Sequence, residues 1–258
     1  MGLIHYTDGY LLNPQHIITV NLIGLGGTGS AVLNELASLN EGLQSFGHPG
    51  IHVYAWDADI ITEPNIGRQQ FSPADIGVNK AVCLVTRLNA YYGYGWEARP
   101  CNYPDIENCF ANITISCVDT AKARLEIANL FTSYANGKHG LPEPNLRPYY
   151  WLDYGNSRHS GQVVLGTVGR YKKKKGFNYL QLPTVVQMFK KELLATKDNA
   201  EPSCSKAEAI RKQDLYINKT LVPWGMDLLW KLFVDRQVDR HGYYVNLKTG
   251  FVNPIKIK

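Results

Sequence analysis

The run Gly24-Leu25-Gly26-Gly27-Thr28-Gly29-Ser30 has the spacing G-x-G-x-x-G, with a further glycine at position 27. Such glycines let a backbone turn tightly and approach a ligand closely. If a helix follows, its first N–H groups and partial positive charge suit a phosphate. A turn that serves packing alone has the same spelling. Asp57-Ala58-Asp59 begins 28 residues after Gly29, where a carboxylate can accept hydrogen bonds from ribose hydroxyls or cap a turn. Common NAD-binding units place their acid about 20 residues on, and the polar, Gly-rich stretch Asn40–Gly50 accounts for the surplus. Cys204 follows Pro202-Ser203 at the start of a helical pattern, with Lys206 and Arg211 nearby. Those surroundings favour thiolate, although an exposed cysteine in a polar segment needs no function.

These residues need particular elements to bring them together. Ile17 to Ile23 is a β-branched apolar run that stops at the glycines, and Ala31 to Leu39 carries apolar residues at helical spacing. Strand, turn and helix follow in that order. Asn40–Gly50 reads as a loop and Ile51–Trp56 as a second strand. A helix starts near Asn79, strands lie near Trp96–Pro100 and Ile113–Val118, and a helix runs from about Ala121 to Tyr134. This alternation predicts an α/β, Rossmann-like, doubly wound and mostly parallel sheet with helices on both faces. After a Pro/Gly-rich connection, Tyr149–Tyr154 and Gly161–Val168 extend the sheet less regularly. Val185–Ala195 reads as helix, Thr196–Pro202 as a polar crossing segment, Lys206–Phe233 as a long helix and Gly242–Ile257 as a hairpin. The whole of residues 1–258 is read as one domain, with a nucleotide-binding core at 17–135 and a sheet extension, crossover and C-terminal helix and hairpin at 149–258.

With 45% hydrophobic and 19% charged residues the chain can build a packed core. It has no apolar run long enough to span a bilayer and no signal-like start, so a cytoplasmic protein without membrane attachment is expected. The net charge of +5 is uneven: residues 1–67 hold six acids and no Lys or Arg, which leaves +11 for the rest. The dense run Lys172–Lys175 lacks the aromatic or helical company of a nucleic-acid site, so no nucleic-acid partner is expected. The five cysteines form no C-x-x-C pair, and no structural zinc is expected.

Three further groups separate the remaining readings. They are Asn65-Ile66-Gly67-Arg68-Gln69, then Ile76-Gly77-Val78-Asn79-Lys80, then Cys117-Val118-Asp119 with Arg124. With the glycine turn and Asp57-Ala58-Asp59, this series resembles the ThiF/MoeB and ubiquitin-activating adenylyltransferase family across about residues 17–125. Pro202-Ser203-Cys204-Ser205, Lys212-Gln213-Asp214-Leu215, Trp151, Asp153 and Gly161-Gln162-Val163 are most similar to the ThiF-like members of the plasmid-borne PRTRC cassette.

The resemblance implies an enzyme that uses ATP and Mg²⁺ to adenylate the C-terminal carboxylate of a small ubiquitin-like β-grasp protein. Gly24, Gly26, Gly27 and Gly29 would approach the phosphates, and Asp57 and Asp59 would lie at the nucleotide, with Asp57 on the ribose. Asn65, Arg68, Gln69 and Lys80 would surround the triphosphate, Asp119 would help hold Mg²⁺ through ATP, and Cys204 would take over the activated acyl group. Arg68, Lys80 and Asp119 would then be catalytic together with Cys204. A homodimer is implied as well. Two departures are visible: the zinc-binding C-x-x-C pairs of many relatives are missing, and nothing before Arg68 can supply the N-terminal arginine that a dimer partner tends to contribute. The second leaves room for a non-catalytic, partner-binding subunit. An NAD-dependent oxidoreductase would rest on the glycine turn and Asp57 alone.

Overall fold

The computed structural model describes residues 3–104, 109–138, 143–169, 180–196 and 214–258. After a short strand β1 (His5–Tyr6) and a single helical turn α1 (Gly9–Leu12), the chain alternates strand and helix. These are β2 (Ile18–Ile23), α2 (Gly27–Ser45), β3 (Ile51–Trp56), α3 (Lys80–Tyr92), β4 (Glu97–Arg99), β5 (Ile113–Ser116) and α4 (Ala121–Ala135). The second part holds β6 (Tyr150–Asn156), β7 (Ser160–Thr167), α5 (Val185–Met188), α6 (Lys190–Ala195), α7 (Ile217–Phe233), β8 (Gln237–Val238), β9 (Arg240–Asn246) and β10 (Phe251–Lys256).

Eight strands form one sheet in the order β10-β9-β7-β6-β5-β2-β3-β4. The pairs from β4 across to β6 are parallel, and those from β6 to β10 are antiparallel. Every residue of β2 is buried, as expected for a central strand covered on both faces. Side chains alternate between two cores. Ile18, Val20, Leu22, Ile51, Val53, Ile113, Leu152, Val163 and Leu165 pack with α2, α3 and α7, whereas Ile23, Trp56, Trp151 and Val164 pack with α4 and α5. The doubly wound sheet expected from the alternation is thus present, and its irregular extension is an antiparallel half made of two hairpins.

Three boundaries differ from expectation. Residues 40–45 belong to α2 rather than to a loop; the polar Asn40 is buried and accepts a hydrogen bond from Ile51 N at 2.8 Å, tying the helix to the start of β3. The Val185–Ala195 helix is broken at Phe189, whose φ and ψ of −121° and 29° are not helical. Residues 214–216 precede α7 without helical structure, and the earlier part of the Lys206–Phe233 pattern lies outside the described residues.

Candidate functional site

The site begins where β2, β3 and β5 end side by side. Ile23 pairs with Trp56 on one flank and with Ser116 on the other, and the next hydrogen bonds continue the register: Gly24 N donates to Trp56 O at 2.9 Å and Cys117 N to Ile23 O at 2.8 Å. With strands about 4.8 Å apart, the residues just beyond the three ends share one rim. From β2 the chain passes to β3 on one side and returns to β5 on the other. Ligands of open α/β sheets bind in the crevice at such a reversal.

Gly24 has φ +84°, and a Cβ there would meet the Cys117 carbonyl oxygen at 2.9 Å. At Gly29 a Cβ would stand 1.8 Å from the Gly24 carbonyl oxygen. The turn therefore requires both glycines. It leads straight into α2, whose N-cap Gly26 supplies no side-chain hydrogen bond, so the N–H groups of the first turn are not consumed by a capping side chain.

Asp57 closes the turn from the next strand. Its Oδ2 accepts from Leu25 N at 2.6 Å and its Oδ1 from Asp59 N at 2.9 Å. Burial pushes the Asp57 carboxyl above the usual range, and the Lys80 charge together with these N–H donors opposes that. Lys80 is buried, its Nζ 2.6 Å from Asp59 Oδ2 and its backbone N donating to Asp59 O. Asn79 caps α3 by accepting from Val82 N, and its Nδ2 donates to the carbonyls of Asp57 and Asp59. The start of α3 is thus stapled to the end of β3.

Asn65 is buried and accepts from Thr62 N and Thr62 Oγ1, shaping the 3₁₀ turn Glu63–Asn65. Its carbonyl accepts from Gln69 N at 2.9 Å. The Gln69 side chain is buried beside Gly26, with Nε2 3.8 Å from where a Cβ on that glycine would lie, and its Oε1 is buried with no hydrogen-bond partner. A buried amide oxygen left without a donor is unfavourable, so this one is suited to a ligand or a water. Arg68 is half-buried next to it in sequence.

Asp119 is exposed beyond β5. It does not cap α4; Thr120 does, its Oγ1 accepting from Ala123 N at 3.2 Å. Asp119 and Arg124 help line a cavity of about 290 Å³ between the ends of β6 and β7 and helices α5 and α6. The glycine turn, Asp57, Arg68 and Lys80 do not border that cavity. Arg124 is buried, with Nε donating to both oxygens of Asp153 at 3.0 and 3.1 Å and Nη2 donating to Tyr154 O at 2.9 Å. Its charge is committed to that pair. Cys204 lies outside the described residues.

The structure thus unites the glycine turn with Asp57, Asp59, Lys80, Gln69 and, through Gln69, Asn65. Sequence reasoning missed Asn218 and Asn156. The Asn218 Oδ1 accepts from Thr28 Oγ1 at 3.1 Å and from Asn156 Nδ2, and no local motif marks a contact between residues 190 positions apart.

Solved structures with the same arrangement of elements cover 96% of the chain. One is Escherichia coli MccB, at a TM-score of 0.61 and 14% identity over 63% of its own length. The fold is that of MccB. A crystal structure of MccB with ATP matches at a TM-score of 0.57 and 15% identity over 64% of its length, and PaaA matches at 0.58 and 14% over 65%. MccB, described as a microcin C7 biosynthetic enzyme, has also been crystallised with N-formylated MccA. This chain spans slightly less than two thirds of the length of these proteins. No family model matches its sequence, and no curated protein matches it significantly. Among the described residues, no helix is long and apolar enough to cross a membrane, and no group of three His, Cys, Asp or Glu side chains is placed to hold a metal ion.

Proposed function

We propose that this chain binds ATP at the glycine turn and transfers AMP to the C-terminal carboxylate of a small protein. The observation that carries the reading is the uncapped start of α2 at the rim shared with Asp57 and Lys80, where the Gln69 Nε2 faces Gly26 and its buried Oε1 is left for a hydroxyl or water donor. MccB's crystallisation with ATP supports it. Asp57, which already orients Leu25 N, has acceptor capacity left for a ribose hydroxyl. The first-turn N–H groups of α2, with Arg68 and Lys80, would surround the phosphates, and Lys80 would exchange part of its contact with Asp59 for a phosphate oxygen. Asp119 fits a magnesium ion held mainly by phosphate oxygens and water, since Mg²⁺ commonly uses one or two protein carboxylates; that ion would neutralise charge on the phosphates.

A carboxylate oxygen of the partner attacks the α-phosphorus. The new bond is carboxyl O–P, the bond to the bridging oxygen of the β-phosphate breaks, and pyrophosphate leaves with the electron pair. The carboxylate is already ionised at neutral pH and needs no general base. Fixed cations lower the barrier because charge grows on the nonbridging and leaving oxygens. The sequence resemblance supports a ubiquitin-like β-grasp protein as the partner, a homodimer as the assembly and transfer of the acyl group to Cys204, displacing AMP.

Thermal unfolding with ATP and Mg²⁺, ATP alone and NAD tests the assignment. A ligand at 100 times its Kd stabilises by about 2.7 kcal/mol, roughly 5–10 °C for a domain of this size. ATP with Mg²⁺ should give such a shift, Asp119→Ala should lose its magnesium-dependent part, and NAD should do little. Equal shifts with NAD and ATP in both proteins would overturn the reading.

A further inference from the structure

Asn218 lies in the first turn of α7 and is 3% exposed. Its amide nitrogen is 2.3 Å from where a Cβ on Gly27 would be, so the side chain fills the space that any larger residue at 27 would need. The amide oxygen accepts from Thr28 Oγ1 and from Asn156 Nδ2 at the end of β6. One side chain at the start of α7 therefore joins the start of α2 to the end of β6. Leu36 of α2 and Leu221 and Leu228 of α7 belong to one apolar core, whose packing is not directional. An amide adds direction.

That direction matters because α2 begins without a side-chain cap. A cap residue steadies a helix start by consuming first-turn N–H groups. Asn218 instead grips the turn through the Thr28 hydroxyl and by contact with Gly27, which leaves those N–H groups for a ligand. We propose that Asn218 is a positioning residue that holds Gly27 and Thr28 in the orientation needed to bind nucleotide phosphates. The inference rests on the ATP reading above.

The test compares calorimetric titrations of ATP with Mg²⁺ and of adenosine into the parent, Asn218→Leu and Thr28→Val. Asn218→Leu keeps bulk and loses the hydrogen bonds to Thr28 and Asn156; Thr28→Val removes the donor from the other end. Losing one such buried hydrogen bond corresponds to roughly 3- to 10-fold in affinity. ATP should weaken by that factor in both variants while adenosine, held at Asp57, stays within about twofold. A merely structural role would weaken both ligands alike. Equal loss of the two ligands, or parental ATP affinity in Thr28→Val, overturns the assignment of Asn218 and leaves the ATP site standing. If Asn218→Leu does not fold, the Thr28→Val titration decides. A parent that binds neither ligand refutes the ATP reading itself, and the positioning role with it.

Discussion

Replacing Arg124 by methionine keeps most of the aliphatic stem and removes the guanidinium from the buried pair with Asp153. In the parent, the fully buried Asp153 accepts from Arg124 Nε at 3.0 and 3.1 Å and from Ser116 Oγ at 2.5 Å, and Ser116 Oγ accepts in turn from Trp151 Nε1 at 2.7 Å. Arg124→Met leaves one hydroxyl donor for a whole buried charge, and the Tyr154 carbonyl loses its partner as well. Breaking one side of a buried pair costs about 3–5 kcal/mol, a large part of the 5–15 kcal/mol that holds typical domains folded. Asp153→Asn should cost less, because the amide oxygen still accepts from Ser116 and Arg124 while the guanidinium keeps its carbonyl partner. The double variant leaves no unpaired charge at this position, so it should be more stable than Arg124→Met alone by about 2 kcal/mol. Urea unfolding followed by circular dichroism, with unchanged slopes, reads all three differences. If Arg124→Met stays within about 1 kcal/mol of the parent, or if the two single effects simply add, the pair is not the buried unit described above.

Gly29→Ala places a methyl 1.8 Å from the Gly24 carbonyl oxygen; the backbone must move, and a loss of about 3 kcal/mol or more is expected, so a parental urea midpoint would show that the turn is built differently. His5 and His241 are buried, and burial pushes both imidazoles below the ordinary value of 6.5. The unfolded chain then binds more protons as pH falls below about 6.5, and stability should decline there. His5→Gln/His241→Gln should flatten that decline, and parallel stability–pH profiles would refute the assignment. Asp75, lowered by the Ser72 N–H and by Arg87, and Asp239, lowered by Arg240, lose their stabilising contribution at much lower pH, whereas His48, also lowered by burial, keeps part of the decline in the double variant.

The parallel half was legible because its signals are local. A β-branched run ending in glycines, an acid at the next strand end and an Asn before an apolar helix each act within a few residues, and β2, Asp57 and the Asn79 cap stand where those signals point. Long-range polar contacts carry no such signal. Asn40 is spelled like a loop residue and serves as a buried acceptor for Ile51 N. Arg124 could be counted from Asp119, but its partner Asp153 comes from another strand, through the pairing of Ser116 with Asp153 in the β5–β6 ladder. Asn218 reaches Thr28 only after α7 packs against α2.

Helix α7 also decides when this protein can fold during its synthesis. Strands β6 and β7 are complete at Thr167, yet the face bearing Tyr154, Val163 and Leu165 is covered by α7, where Tyr154 Oη donates to Val222 O at 3.1 Å. Another 66 residues must be made before α7 ends at Phe233. At ribosomal rates of about 5–20 residues per second, the nascent sheet spends roughly 3–13 s with that apolar face uncovered. Exposed surface of this kind binds chaperones or other nascent chains, so the C-terminal helix protects the sheet as well as completing it. Premature termination before Phe233 would therefore release a species that aggregates, even though every strand of the parallel half had already been synthesised.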